Sequence, residues 1–130
     1  MTESKSVLII EDDRFLSTLI KTRLDKEGFQ VRQAFDGSEA LTVLREQVSD
    51  CIVLDLIMPK MSGFEFLETL SQDPALSKIP VIVLSNLAQD SDIEKAKRFG
   101  AKEYFVKVRI SVDSIVTKIK ELLASTSNNQ

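Results

Sequence analysis

Short apolar runs alternate with segments of helical spacing from one end of the chain to the other. The apolar, often β-branched runs predict five strands, and each run stops at polar residues or a glycine. The predicted strands cover residues 7–10, 29–35, 51–54, 79–84 and 104–106. Apolar residues spaced three or four apart predict a helix after each strand, within residues 15–24, 40–48, 66–70, 93–99 and 112–123.

Alternating strands and helices predict an α/β fold in which helices cover both faces of a parallel sheet. Strands 1, 3 and 4 are apolar on both faces, as central parallel strands are, whereas strand 2 carries Gln30, Arg32 and Gln33 and suits an edge. The pattern favours a flavodoxin-like (βα)5 doubly wound sandwich with strand order 2-1-3-4-5. We expect one domain over residues 1–124 and a disordered polar tail over residues 125–130.

The composition narrows the possible chemistry of this 130-residue chain. It has no histidine and a single cysteine, Cys51, so an intrachain disulfide, the usual zinc sites and histidine-based catalysis are excluded. The start of the chain lacks a secretory signal, and no apolar run approaches the ~20 residues of a membrane span. We therefore expect a cytoplasmic protein.

Charge is distributed unevenly along the chain. Residues 1–75 carry 8 basic and 14 acidic side chains, hence −6, and residues 76–130 carry 9 basic and 6 acidic, hence +3. This difference has two possible explanations. One is ordinary scatter of charged residues, and the other is an acidic pocket in the first half with a mildly basic partner surface in the second. The total of −3 does not favour nucleic-acid binding.

Polar residues stand at the carboxyl ends of the predicted strands, where open parallel sheets bind ligands. Glu11, Asp12 and Asp13 follow strand 1, and Asp55 follows strand 3, its predicted neighbour. Converging carboxylates repel one another, and a divalent cation relieves the repulsion. With only oxygen ligands available, Mg²⁺ is the natural choice, with Mn²⁺ possible.

A hydroxyl and an ammonium complete the set, because Ser85 follows strand 4 and Lys107 follows strand 5. A metal, a carboxylate nucleophile, a hydroxyl and an ammonium suit phosphoryl transfer, which depends on positioning and charge neutralisation. Carboxylates are also covalent acceptors of phosphoryl groups.

Four segments in order and spacing resemble the response-regulator receiver family. They are VLIIEDD (7–13), VLDLIMPKMSG (53–63), VIVLSN (81–86) and GAKEYFVK (100–107), and the resemblance covers roughly residues 5–124. It implies a reversible aspartyl phosphate, formed from a phosphohistidine of a sensor histidine kinase or a histidine phosphotransfer protein.

The resemblance also implies a role for individual residues. Asp55 would be the phosphoacceptor, and the metal would be held by Asp12, by Glu11 through a water, by Asp55 and by the Ile57 backbone carbonyl. Ser85 would bind the phosphoryl group and Lys107 would pair with Asp55 and then with the phosphate. Tyr104 would turn inward when Ser85 moves, and Met58, Pro59 and Gly63 would shape the loop beneath the acceptor.

Each of these residues taken alone has a simpler interpretation. Asp13 suits a helix cap more than a ligand, and an aspartate after a strand is an ordinary turn former. Ser85 could simply end a strand, Lys107 could be solvated, and Tyr104 could pack in the core. The ordered combination of five such residues favours the functional interpretation.

The chain departs from the family pattern at several positions. Val108 follows Lys107 where most members have proline, and because a cis bond is costly before residues other than proline, we expect a trans bond. Asn86 stands where a small residue is usual and would narrow access to the phosphoryl group. Ile57 and Leu87 are apolar and cannot orient a water, so we expect slow self-dephosphorylation that Leu87→Glu should quicken.

We expect a stand-alone signalling domain, not an enzyme, whose output is the binding of an unidentified downstream protein, as a monomer or weak dimer. The helix over residues 90–99 has the thinnest apolar face, so the switching surface should lie there with strand 5 and the last helix. The alternatives are an aspartyl-phosphate enzyme, which would want a second acid at position 57, a flavin carrier, which would want a phosphate-cradling loop after strand 1, and a receiver fold that signals without phosphorylation.

Overall fold

A computed structural model describes residues 4–128 of the chain, which form one five-stranded parallel sheet. The strands lie in the order β2-β1-β3-β4-β5, so the predicted strand order is confirmed. The strands are β1 (Ser6–Ile10), β2 (Gln30–Ala34), β3 (Cys51–Leu54), β4 (Val81–Ser85) and β5 (Glu103–Val106). The helices are α1 (Arg14–Lys26), α2 (Gly37–Glu46), α3 (Gly63–Ser71), α4 (Asp90–Arg98) and α5 (Val112–Asn128), with a 3₁₀ turn over Lys107–Arg109.

Side-chain alternation along the central strands divides the core between the two faces of the sheet. Leu8 and Ile10 of β1 point into one apolar cluster, which the buried residues of α2, α3 and α4 complete. Val7 and Ile9 point into the other, which contains the buried residues of α1 and α5. The prediction of central strands that are apolar on both faces is confirmed, as is the more polar β2 at an edge.

Strands β2 and β4 begin later than the sequence predicts, for reasons of backbone hydrogen bonding. Strand β4 begins at Val81, because Pro80 has no N–H to donate and the Ile79 N–H bonds to the Leu76 carbonyl at 3.1 Å. Strand β2 begins at Gln30, because the Phe29 N–H bonds to the Leu24 carbonyl at 3.2 Å and closes the end of α1. Apolarity alone does not reveal either turn.

The helices differ in how firmly they are anchored to the sheet. Ala96 is the single buried residue of α4, in agreement with the thin apolar face of this helix in the sequence.

Helix α5 continues beyond residue 124, where the domain was predicted to end, as far as Asn128. Helical hydrogen bonds add one residue at a time to an anchored helix, so the backbone extends past its apolar stripe. Residues 129–130 of the predicted tail lie outside the described residues.

No helix between residues 4 and 128 combines the length and apolarity that a bilayer crossing requires.

Candidate functional site

Three carboxylates meet at the carboxyl edge of the sheet because two strands end side by side. Ile10 of β1 is in register with Leu54 of β3, so Glu11 and Asp55 leave neighbouring strands at the same level. The Asp55 N–H donates to the Ile10 carbonyl at 3.0 Å and continues the ladder by one bond. Carboxylate oxygens of Glu11, Asp12 and Asp55 all lie within 4.8 Å of one another.

Asp55 is buried, with 4% of its surface exposed, and both of its carboxylate oxygens have partners. Oδ1 accepts a hydrogen bond from the Ile57 N–H at 3.1 Å, and Oδ2 accepts one from the Lys107 ammonium at 2.9 Å. The first bond ties the carboxylate to the loop that follows β3. The second joins β3 to the end of β5 across β4.

The Lys107 ammonium bridges two acids. Besides Asp55, it contacts Oε1 of Glu11 at 2.7 Å, a contact that the sequence did not predict. Burial lowers the pKa of this lysine, but its contacts with Glu11 and Asp55 outweigh burial and raise the pKa above its ordinary value. The ammonium therefore stays charged between the two carboxylates.

Glu11 is the most deeply buried acid of the site, with 2% of its surface exposed. Its Oε2 accepts the Asp13 N–H at 3.0 Å, whereas Oε1 contacts Lys107 without a well-directed hydrogen bond and has no other partner among the described residues. Burial raises the pKa of this carboxyl and the Lys107 contact lowers it only in part, so that the pKa is about 7. The ionised form of Glu11 is therefore disfavoured, because the positive charge near this buried carboxylate does not fully compensate for its burial.

The other two acids of the triplet have different roles. Asp12 is exposed and belongs to the carboxylate cluster. Asp13 is the N-cap of α1, where its side chain accepts the Leu16 N–H at 3.1 Å. This is the capping role that suited Asp13 in the sequence, and it turns the carboxylate towards the helix backbone.

Ser85 and Tyr104 lie on adjacent strands and both bond to Leu87 in the loop after β4. Ser85 is fully buried, and its hydroxyl accepts the Leu87 N–H at 3.3 Å. The half-buried Tyr104 donates its hydroxyl to the Leu87 carbonyl at 2.6 Å. The side chain of Leu87 packs against the core. The two predicted switch residues are thus joined through one loop residue.

The loop beneath Asp55 is closely packed. The Gly63 N–H donates to the Leu56 carbonyl at 2.9 Å, and a Cβ on Gly63 would lie 2.5 Å from the Leu56 Cα and 2.7 Å from the Asp55 carbonyl oxygen. Met58 packs against the core, and the Pro59 carbonyl accepts the Met61 N–H at 2.8 Å. Only glycine fits at position 63 without moving the backbone of the acceptor.

The bond between Lys107 and Val108 is trans, since no peptide bond in residues 4–128 is cis. The chain turns there into the 3₁₀ segment Lys107–Arg109, which leaves the Val108 side chain 79% exposed. The Val108 N–H donates to Oδ1 of Asn86 at 3.3 Å. Sequence reasoning missed this contact; the presence of a backbone N–H in place of proline was the available signal.

The donor set fits a hard divalent cation. All ligand atoms at the site are oxygens, and such sets suit Mg²⁺, Mn²⁺ or Ca²⁺ and not softer metals. The buried Glu11 Oε1 without a well-directed donor is an acceptor that a cation, directly or through a water, would satisfy. Asp12, exposed beside it, leaves the cluster open to solvent.

A doubly wound sheet with an acidic cluster and a lysine at its carboxyl edge is typical of signalling switches that are phosphorylated on aspartate. The family model described as response regulator receiver domain matches residues 7–120, so the chain belongs to this family. The described chain is therefore a receiver domain, a phosphoacceptor switch of two-component signalling.

Relatives support the same assignment. The chain is 33% identical over 120 residues to the polar-differentiation response regulator DivK of Brucella ovis, covering 92% of this chain and 97% of DivK. The response regulator 1452 receiver domain of Francisella is 30% identical, with a TM-score of 0.86 over 95% of this chain and 99% of that one. The Mn(2+)-bound form of response regulator Rcp1 is 28% identical, with a TM-score of 0.79 over 89% of this chain and 91% of that one.

The chain spans about half the length of the first curated relatives that it matches. All six of those relatives are named as transcriptional regulators or transcriptional regulatory proteins. Their identity to this chain therefore concerns the receiver domain and leaves the output of the protein as a separate question.

Proposed function

We propose that Asp55 accepts a phosphoryl group from the phosphohistidine of a sensor histidine kinase or a histidine phosphotransfer protein. The observation that carries the proposal is the position of the buried Asp55. Its carboxylate lies within 4.8 Å of carboxylate oxygens of two further acids and 2.9 Å from the Lys107 ammonium. Membership of the receiver family supplies the kind of donor. The cytoplasm is where such donors present their phosphohistidines, so we place the reaction there.

In the transfer, an Asp55 carboxylate oxygen attacks the phosphorus and the phosphorus–nitrogen bond of the donor breaks. The electron pair of that bond returns to the imidazole nitrogen, which is left able to take up a proton. Negative charge on the transferring oxygens grows in the field of Lys107. The Ile57 N–H and the Lys107 ammonium orient the Asp55 carboxylate before the donor arrives.

Glu11, Asp12, Asp55 and the Ile57 backbone carbonyl would hold Mg²⁺, or Mn²⁺, at the cluster. A cation bound there supplies the positive charge that three acids and a phosphoryl group require. The Mn(2+)-bound form of response regulator Rcp1 supports a divalent cation as a ligand of this family. Glu11, with its buried and poorly satisfied Oε1, has the strongest need of it.

Phosphorylation would shift the surface formed by α4, β5 and α5 and so control the binding of a downstream protein. Ser85 would donate its O–H to a phosphoryl oxygen, and the movement of its side chain towards that oxygen would lengthen the bond that it accepts from the Leu87 N–H and loosen the loop that Tyr104 holds by the Leu87 carbonyl. Helix α4, with only Ala96 buried, can follow at little cost in packing. Phosphorylation would thus shift an equilibrium between two conformations of the same fold.

The decisive experiment is incubation with Mg²⁺ and a small phosphoryl donor, acetyl phosphate, followed by intact mass. Wild type should gain one phosphoryl group, and Asp55→Asn should gain none. Asp25→Asn is the matched control, because the Asp25 carboxylate pairs with Lys21 on the exposed side of α1, and it should behave as wild type. A phosphoryl group on Asp55→Asn, or none on wild type, would contradict the proposal.

A further inference from the structure

One hydrogen bond joins the loop after β4 to the turn after β5. The Val108 N–H in the first turn of the 3₁₀ segment donates to Oδ1 of Asn86, the residue that follows Ser85. Strands β4 and β5 are adjacent and parallel, with Ser85 in register with Val106, so both loops leave the sheet at the same level. The Asn86 side chain therefore spans the gap between two loops that border the phosphorylation site.

This bond acts on the peptide next to Lys107. The lysine has a long side chain with several rotatable bonds, so the place of its ammonium depends on where its backbone is held. On the far side of the turn, Ile110 packs against the apolar cluster beneath α1 and α5. On the near side, Asn86 holds the Val108 amide. The turn is thus fixed at both ends, and the Lys107 ammonium reaches Glu11 and Asp55 at 2.7 and 2.9 Å.

We propose that Asn86 is a positioning residue, whose hydrogen bond to the Val108 N–H holds the Lys107 ammonium in place for phosphorylation of Asp55. The proposal rests on the proposed function of Asp55 and extends it to a residue that does not touch the reacting atoms. A small displacement of a charged group in a phosphoryl-transfer site lowers the rate markedly, since the reaction depends on positioning. The exposed Asn86 side chain adds little to the core, so its effect should be on rate more than on stability.

The first measurement is amide hydrogen exchange at Val108 in the full chain, compared with Asn86→Leu. Leucine has a similar size and removes the side-chain amide, including the Oδ1 atom that accepts the Val108 N–H. Exchange of the Val108 amide should quicken about threefold or more in Asn86→Leu, while the amides of β4 and β5 keep their protection. Gln89→Leu is the matched control, because Gln89 lies in the same loop and makes no side-chain hydrogen bond to the start of α4.

The second measurement is the rate of phosphorylation by acetyl phosphate with Mg²⁺, in a double-mutant cycle with Lys107→Met. Asn86→Leu should slow the wild-type rate about three- to tenfold, the range expected for the loss of one hydrogen bond. In the Lys107→Met background the same substitution should have no further effect, because the group that it positions is absent. A purely structural role for Asn86 would give the same factor in both backgrounds.

Each outcome decides for or against the proposal. Equal slowing by Asn86→Leu in both backgrounds, equal slowing by Gln89→Leu, or unchanged Val108 exchange would overturn it. Wild type that takes no phosphoryl group at all would overturn the proposed function of Asp55, and this role of Asn86 with it. Quicker exchange together with a rate effect that vanishes in Lys107→Met would establish the role.

Discussion

The Lys107 ammonium lies 2.7 Å from the Glu11 carboxylate, closer than the 2.9 Å that separates it from Asp55. One positive charge is therefore shared by two buried acids, while Asp12 adds a third carboxylate at the rim. Fully ionised, these four groups carry a net charge of −2. This excess of negative charge suits a bound cation, and we expect it to lower the stability of the metal-free fold.

Replacing Glu11 should change how the stability of the metal-free protein depends on pH. Burial raises the pKa of Glu11 from 4.5 to about 7, so the folded state binds a proton there more tightly than the unfolded state does. The contribution of Glu11 to stability is therefore present below pH 4.5 and is lost as the pH rises to 7. Without metal, Glu11→Gln should become more stable than wild type across this window, by up to about 3 kcal/mol.

Urea unfolding in the presence of a chelator at several pH values measures the difference. Added Mg²⁺ should stabilise wild type and have little effect on Glu11→Gln, because the variant lacks a ligand. Asp12→Asn is the companion variant: it keeps Glu11 and removes another carboxylate of the cluster, so it should also remove the Mg²⁺ effect. A difference between wild type and Glu11→Gln that stays constant from pH 4.5 to 7 would rule out this account.

Features that depend on periodicity and strand ends could be predicted from the sequence. Hydrophobic runs fix which strands are central, and parallel neighbours must bring Asp12 and Asp55 to one edge of the sheet. The contact of Lys107 with Glu11 could not be predicted, because it depends on the rotamer of a long side chain. The sequence shows that Val108, unlike a proline, has an N–H to donate, but it does not show that Asn86 accepts it, because that depends on the conformations of two loops.

Gly63, in the loop beneath Asp55, cannot be replaced by a residue with a side chain unless the backbone moves. An added Cβ would lie 2.5 Å from the Leu56 Cα, a backbone atom that cannot move without moving Asp55. Gly63→Ala should therefore lower the free energy of unfolding by about 1–3 kcal/mol or more, and slow phosphorylation as well. Chemical denaturation and the acetyl phosphate assay measure the two effects.

Gly37→Ala provides the matched control for Gly63. Its added Cβ would meet the Met61 side chain, at 2.9 Å from Sδ and 3.1 Å from Cβ, so it would contact a flexible side chain and not the backbone. Alanine is also favoured over glycine in the helix that Gly37 begins. We expect a change within about 1 kcal/mol. Losses of equal size in the two variants would show that backbone contact at Gly63 is not the cause.

Lys60 has a backbone conformation that suits glycine better than lysine. Its φ of +70° is the one positive φ among the non-glycine residues in 4–128. Lys60→Gly should stabilise the protein by about 0.5–1 kcal/mol, because relief of the left-handed conformation exceeds the extra freedom of unfolded glycine. Lys60→Ala removes the exposed ion pair with Asp36 but keeps the Cβ, and should change stability little. Equal effects of the two substitutions would assign the change to the ion pair.

The lifetime of the phosphorylated form should depend on two apolar side chains near Asp55. Hydrolysis needs a water aligned with the phosphorus, and neither Ile57 nor Leu87 has a group to hold one. Wild type should therefore lose its phosphoryl group slowly, over minutes or longer. The side chain of Ile57 is 55% exposed, whereas Leu87 packs against the core, so polar groups are accommodated more easily at position 57.

Ile57→Gln should accordingly quicken hydrolysis about tenfold with little loss of stability, since an amide there can hold a water beside the phosphoryl group. Leu87→Glu should also quicken hydrolysis, but with a loss of stability because a packed leucine is replaced. Decay of the phosphorylated mass after removal of the donor measures both rates, and Ile57→Val, which stays apolar, is the control. Decay of wild type within seconds, or equal acceleration by Ile57→Val, would show that water alignment at these positions does not set the lifetime.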